Sequence, residues 1–378
     1  MEPDLYDLFF KKGMGHMNVR LILLVLIGCI SVFSTSCHKK KEIQRPTSDD
    51  FESLTGKDLP VWEYIQTKED IAHLNLFREM YDAQRGFLNV SSGTFRIPKI
   101  VHFIWIGPRP FPRESVENVR TWMAKNPECT FYFWTDRERP VPVPGMKIQK
   151  IQDLNFLKLK ECFSKSDNYG EKSDLLRYEI LYQQGGIYVD HDVKCFKSFD
   201  VLNKAYDFYC GIDMPYTSSL PSCVYTTNNI IGAKEGHPIL MRCMEMLAEK
   251  WDQVESDYPG SDRDAMLNRV LHRTFWMFGE AVKQVSNQEG NRDIVFPAYY
   301  FDAPKDELAI FARHQYSGSW HETESDFEKM VRQRLMTLTK KSNQMLLIFG
   351  ILAGLNLTGL VGLYFLIAKN LQRSGCVK

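Results

Sequence analysis

The chain has 378 residues, 44% of them hydrophobic, and 47 basic side chains balance 47 acidic ones. That length suffices for one large domain or two small ones, and a net charge of zero lacks the basic footprint that nucleic-acid binding leaves. The nine cysteines include no C-x-x-C pair and no His/Cys cluster, which argues against a zinc site, and their odd number argues against a fully paired disulfide framework.

Residues 1–36 read as a leader or a short N-terminal membrane anchor. Lys11, Lys12 and Arg20 precede an apolar run from Leu21 to Phe33, which at ~13 residues is shorter than the ~20 of a comfortable span. Ser34-Thr35-Ser36-Cys37 resembles a lipoprotein cleavage box without its usual aliphatic residue. Residues 37–95 read as a polar linker and a stalk helix, because Ile65, Ile71, Leu74, Phe77, Met80 and Tyr81 recur at helical spacing.

The main domain is expected over residues 96–330. Ile100 to Gly107 is a near-continuous apolar run, the pattern of a central parallel strand covered on both faces. A helix around 115–125 and a second strand at Thr130–Thr135, ending at Asp136, follow. Strand and helix alternating at this spacing predict an α/β domain, in which ligands bind beyond the C-terminal strand ends. Trp105, Asp136, Asp190 and Asp192 all fall at such ends.

From Lys172 to Lys194 the chain reads KSDLLRYEILYQQGGIYVDHDVK. Ser173 is the expected N-cap of a mostly buried helix, and Asp174 and Arg177, three apart, share a face. Gly185 and Gly186 stop the helix. Ile187-Tyr188-Val189 starts a strand from which Asp190 and Asp192 project together while His191 points away. Two carboxylates so placed repel unless a cation lies between them, and Mg²⁺ or Mn²⁺ with a phosphate ligand is the natural partner. A solvated turn is the alternative for a bare D-x-D. Further on, strands are predicted at 208–214 and 294–297, helices at 239–251 and 263–285, and an apolar run at 309–312. Asn228-Asn229 and His314 lie among them, and Ser319-Trp320 closes the domain. Residues 344–368 include 23 uncharged positions from Leu346 to Ala368, framed by Lys340, Lys341 and Lys369. They are long enough to cross a ~30 Å hydrocarbon core as a transmembrane helix.

The stretch S-D-L-L-R-Y…G-G-I-Y-V-D-H-D resembles the signature of glycosyltransferase family 32, the DXD sugar-binding region family, with weaker likeness from Ile97 to Trp320. That family includes Golgi and sphingolipid mannosyltransferases and relatives of the large glucosylating bacterial toxins. The resemblance implies a GT-A type, Rossmann-like nucleotide-sugar-binding domain with terminal membrane segments. It implies retaining transfer of a hexose from a UDP- or GDP-sugar, with Mn²⁺ or Mg²⁺, to a lipid or glycan acceptor at a membrane. Asp192 would bind the metal directly. Asp190 would hold ribose or sugar and reach the metal, and Asp174 and Arg177 would bind sugar hydroxyls and a phosphate. Trp105 would lie against the base, with Tyr188 and Asn229 also facing the donor. His314 would touch the metal or the diphosphate, and Ser319 and Trp320 would cap the donor. Two rival readings stand beside this one. A phosphatase-like hydrolase would use an aspartyl nucleophile at the end of the Ile187–Val193 strand, with Asp302 and Asp306 downstream, and a membrane sugar-binding protein would keep the fold without catalysis.

Overall fold

The computed structural model describes residues 48–89 and 93–318. The leader or anchor expected at 1–36, the closing Ser319 and Trp320, and the span expected at 344–368 lie outside the described residues. Among the described residues no helix is long and apolar enough to cross a membrane.

In chain order the elements are α1 (Lys68–Gln84), β1 (Ile100–Ile104), α2 (Arg113–Lys125), β2 (Thr130–Thr135), β3 (Lys147–Lys150), α3 (Lys160–Lys165), α4 (Tyr169–Gln184), β4 (Gly186–Val189) and β5 (Val193–Cys195). They continue with α5 (Asp200–Ala205), β6 (Phe208–Ile212), β7 (Thr226–Ala233), α6 (Pro238–Asp257), α7 (Arg263–Val270), α8 (Met277–Val285), β8 (Asp293–Phe296) and β9 (Ala312–His314).

Helix α1 starts at a capping box in which Thr67 and Asp70 each accept the other's backbone N–H. The cap fixes its register, so Leu74, Phe77 and Tyr81 turn inward while Ile71 stays exposed. Asp70 also accepts from the Cys223 N–H at 2.8 Å and the Ser222 hydroxyl at 2.9 Å. The segment read as a stalk is therefore bonded into the main domain.

The centre is a seven-stranded mixed α/β sheet in the order β3-β2-β1-β4-β7-β6-β8. Strand β1 lies inside it, parallel to both β2 and β4, as its continuous apolar pattern predicts. Strand β7 runs antiparallel to β4 and β6, which makes the sheet mixed. The pair Asn228-Asn229 lies within this fully buried strand. A separate two-stranded sheet pairs β5 with β9, setting Val193 opposite His314. This pairing returns the chain's late segment to the D-x-D turn.

One polar residue sits inside β1. His102 is fully buried, its Nδ1 accepts from the Trp134 indole at 3.1 Å, and its Nε2 donates to the Gly185 carbonyl at 2.9 Å. Burial lowers its pKa to about 4, so it stays neutral and ties β1 to the turn after α4. That turn needs glycine. Gly186 has φ 102°, and a Cβ there would stand 2.6 Å from the Ile100 carbonyl. Gly186→Ala is therefore expected to destabilise the domain by more than about 1 kcal/mol in urea unfolding; an unchanged midpoint would contradict the packing described.

Helix α4 departs from the sequence reading at its start. It begins at Tyr169, capped by the Asn168 side chain on the Glu171 N–H at 3.0 Å, so Ser173 is an interior residue. Asp174 consequently lies in the second turn. The helix is buried nearly all round, and each of its buried charges is matched. Glu171 meets Arg273, Asp174 meets Arg177, and Glu179 accepts the N–H groups of Leu157, Lys158 and Leu159. The single helix expected at 263–285 is likewise interrupted. Leu271–Trp276 forms a π-helical segment between α7 and α8, a feature frequent at functional sites.

Candidate active site

The cleft lies beyond the C-terminal ends of β1, β4 and β6 and has a volume of about 250 Å³; its lining includes Trp105, Asp174, Arg177, Asp190, Asp192 and His314. Each arrives from a different element. Strand β4 ends at Val189, and residues 190–192 form a turn closed by the Val193 N–H on the Asp190 carbonyl at 3.2 Å. The two aspartates therefore converge through a turn, not along an extended strand as the sequence implied. His191 bonds Ser115 of α2 through Nδ1 at 2.7 Å and meets the Trp105 ring edge-on at 4.8 Å.

His314 completes a triad. One ligand atom each from Asp190, Asp192 and His314 lies within 4.8 Å of the others. His314 Nε2 stands 3.3 Å from Asp192, which also accepts the Ser317 N–H at 2.7 Å. Burial raises the Asp192 pKa, but His314 and the Ser317 N–H outweigh it and hold the carboxyl well below its usual range. Burial lowers the His314 pKa, and Asp192 with Asp302 outweighs that, raising it well above its ordinary value. A divalent cation with ligands at ~2.1 Å needs donor atoms ~3–4 Å apart; Asp192 and His314 at 3.3 Å meet that spacing, and the full set, within 4.8 Å, would close slightly around such an ion. Imidazole beside two carboxylates suits Mn²⁺ better than Mg²⁺, which prefers oxygen alone.

Behind the triad lies a buried charge network. Arg177 pairs with Asp174 at 2.5 Å and Asp190 at 3.2 Å, donates to the Asn228 carbonyl at 2.6 Å, and covers the Tyr188 ring at 4.1 Å. Asp174 also accepts from the Thr274 hydroxyl at 2.5 Å, presented by the π-helical segment. Burial pushes Asp174 up to about 6 against the pull of Arg177 and Thr274, so it is still ionised at neutral pH. Tyr188 donates to Asp190 at 2.5 Å, which makes it a support for that carboxylate. Asn229 lines the cleft with its amide engaged elsewhere: it accepts from Thr227 at 3.0 Å and donates to Asp302 at 2.7 Å. Trp105 is half-buried, its indole N–H donating to the Arg109 carbonyl, and one of its edges faces the cleft.

Sequence reasoning missed three groups here. Asp213 at the end of β6 and Thr274 come from segments without a local motif, and Tyr316 lies between His314 and Ser319, within a segment read only for those residues. The Tyr316 hydroxyl reaches Asp213 at 2.6 Å and Asp302 at 3.2 Å. Asp306, by contrast, is occupied by Lys194 and Arg313. The Asn168-x-x-Glu171 spacing was the available signal for the true start of α4.

Residues 112–209 match the family described as "Glycosyltransferase sugar-binding region containing DXD motif". Over 206 residues the chain is 28% identical to "Subversion of eukaryotic traffic protein A" of Legionella pneumophila, covering 50% of this chain and 29% of that protein. Over 160 residues it is 26% identical to "Inositol phosphoceramide mannosyltransferase 3" of Schizosaccharomyces pombe, covering 42% of this chain and 39% of the relative. The chain thus spans less than half the length of either. Among solved structures, "PaToxG Glycosyltransferase" aligns at a TM-score of 0.37 and 17% identity, covering 57% of this chain and 78% of that one.

Proposed function

We propose that this chain, which carries the sugar-binding region of the DXD glycosyltransferases over residues 112–209, is a metal-dependent, retaining hexosyltransferase with a GT-A type domain. The observation that carries the reading is the convergence of Asp190, Asp192 and His314 within 4.8 Å at the mouth of a cleft. When bound there, Mn²⁺ or Mg²⁺ supplies a Lewis acid that offsets the charge growing on a leaving diphosphate. Asp192 and His314 would hold the ion directly, and since a metal-bound imidazole must be neutral, metal affinity should fall as pH falls. Asp190, kept in place by Tyr188 and Arg177, faces the ion and the donor ribose. Arg177 holds Asp190 and Asp174 in place, and Arg177 and Asp174 would reach a phosphate oxygen and sugar hydroxyls by exchanging one of the contacts they now make with each other and with Thr274. Trp105 offers an edge and part of its face to the base. His314 is followed at once by the strap from Gln315 to Gly318, whose backbone N–H groups at Gln315 and Ser317 bind Asp192. By the family resemblance Ser319 and Trp320, outside the described residues, would contact the donor.

The hydrolase reading is disfavoured by the same contacts. Asp190 is held by a hydroxyl and a guanidinium, and the downstream Asp306 faces other partners. Saturating wild-type protein with Mn²⁺ and UDP or GDP should raise its unfolding free energy by about 2.7 kcal/mol at a hundredfold excess over Kd. No shift with either nucleotide would remove the donor-binding assignment.

The acceptor reading rests on the hydrophobic segments expected at both chain ends and on the sphingolipid substrate in the yeast relative's name. A tethered enzyme meets a lipid headgroup or membrane-borne glycan at raised effective concentration. Deleting residues 1–36 and 344–378 should sharply lower transfer to a lipid acceptor in vesicles while donor hydrolysis survives. Equal transfer with and without the segments would leave a soluble acceptor in their place.

A further inference from the structure

The cleft has an acidic patch beside the triad, on the side of His314 and Asn229, that the roles above leave unused. Asp213 ends β6 and lines the cleft beside Tyr316 and His314. Its Oδ1 accepts from the Tyr316 hydroxyl at 2.6 Å and from the Met214 N–H at 2.7 Å. Its Oδ2 has no hydrogen bond among the described residues. Immediately behind lies Asp302, 1% exposed, with Oδ1 taking the Asn229 amide at 2.7 Å and standing 3.2 Å from the Tyr316 hydroxyl oxygen, whose proton the shorter contact gives to Asp213. Its Oδ2 is buried without a hydrogen-bond partner among the described residues. A buried carboxylate oxygen left unbonded costs free energy unless a ligand or water reaches it.

We propose that Asp213 is a specificity-determining residue whose open Oδ2 accepts hydrogen bonds from hydroxyls of the transferred hexose, with Tyr316, Asp302 and Asn229 positioning it. The inference rests on the glycosyltransferase reading and assigns a second wall to the same cleft. Asp174 and Arg177 approach the donor from α4, and the triad holds its diphosphate end. Asp213 reaches into the same cleft from the neighbouring strand end. Asn229, which sequence reasoning placed on the sugar, has both amide atoms engaged by Thr227 and Asp302. Of the two, only Asp213 keeps an acceptor open towards the cleft. A site built to bond a hydroxyl disfavours an epimer that moves it, because the acceptor in the cleft then loses its partner.

The test compares wild-type protein with Asp213→Asn and Tyr316→Phe, using Mn²⁺ with UDP-glucose, UDP-galactose, UDP-N-acetylglucosamine and GDP-mannose. Donor hydrolysis gives kcat/KM for each sugar, and inhibition by UDP or GDP alone gives the affinity for the part without sugar. Asp213→Asn should lower the preference for the best hexose over the next by about tenfold or more, the size of one lost hydroxyl contact, with nucleotide inhibition unchanged within about twofold. Tyr316→Phe should lower it less, since it removes a positioning bond only. Unchanged sugar preference in a folded Asp213→Asn protein would overturn the proposal. So would an equal weakening toward nucleotide and nucleotide sugar, which would move Asp213 to the diphosphate or the fold. If the wild-type protein neither binds nor hydrolyses any of the four donors, the glycosyltransferase reading itself falls, an outcome distinct from either of these.

Discussion

Asp192→Ala is expected to lower nucleotide-sugar turnover by about 10³-fold or more, the scale of losing one preorganised electrostatic group from a transition state. Asp192 is the member of the triad with most to lose. It is buried, pairs with His314 at 3.3 Å, and receives the Ser317 N–H at 2.7 Å. Repulsion between Asp190 and Asp192 suggests that the substitution would relieve strain, but the contacts point the other way. A carboxyl held below its ordinary pKa of 3.8 contributes stability above that pH and loses it as pH falls. The alanine variant should therefore unfold somewhat earlier than wild type at neutral pH and show a flatter acid limb. Activity is read well below its melting temperature, so that lost turnover is not lost protein. Wild-type turnover in a folded Asp192→Ala protein would remove Asp192 from the chemistry.

Arg177 carries the second large effect, and here stability and activity should separate. Arg177→Ala strands Asp174 and, in part, Asp190 in the interior, and breaking a buried pair costs about 3–5 kcal/mol. Arg177→Lys keeps the charge but cannot serve Asp174, Asp190 and the Asn228 carbonyl together from a single ammonium. We expect the lysine variant to recover much of the lost melting temperature while turnover stays about 10²-fold down, as for loss of an oriented donor. Turnover that tracks melting temperature across the two variants would make the pair purely structural. The pH profile supplies an independent check. Burial, opposed by Arg177, leaves Asp174 with a pKa of about 6 against an ordinary 3.8. Turnover should fall as pH drops through 6, because protonated Asp174 no longer anchors Arg177. Its own contribution to stability runs the opposite way, rising as pH falls from 6 towards 3.8, since the folded state binds that proton more tightly.

How far the sequence revealed this site depends on how local each signal is. Strand β1, strand β2 and the Gly185-Gly186 stop are written in contiguous patterns, and the structure keeps them within a few residues. Asp174 and Arg177 could be paired from helical spacing alone. The convergence of Asp190 and Asp192 was legible, though its cause was misread: the strand is too short to carry both, and a turn brings them together. The cap at Ser173 was misplaced because a good capping residue lay close to another. Asn168 prevails because its side chain finds the Glu171 N–H at the first turn. Asp213, Thr274 and Tyr316 were not legible. Each reaches the cleft through long-range pairing of β6 with β7, a π-helical segment, or the β5–β9 ladder; no neighbouring residue announces that destination for Asp213 or Thr274, whereas Tyr316 lies between His314 and Ser319 and was passed over within that segment.

The central claim is that the Asp190–Asp192–His314 triad serves a nucleotide-sugar donor through a divalent cation. Its most direct measurement is release of UDP or GDP from UDP-glucose, UDP-galactose, UDP-N-acetylglucosamine and GDP-mannose by purified full-length protein, with Mn²⁺, with Mg²⁺ and after chelation. The account predicts turnover of at least one donor, faster with Mn²⁺ than with Mg²⁺, abolished by chelation and restored by adding Mn²⁺ back. Turnover of a donor that survives complete chelation, or none with any donor under any metal, would contradict it.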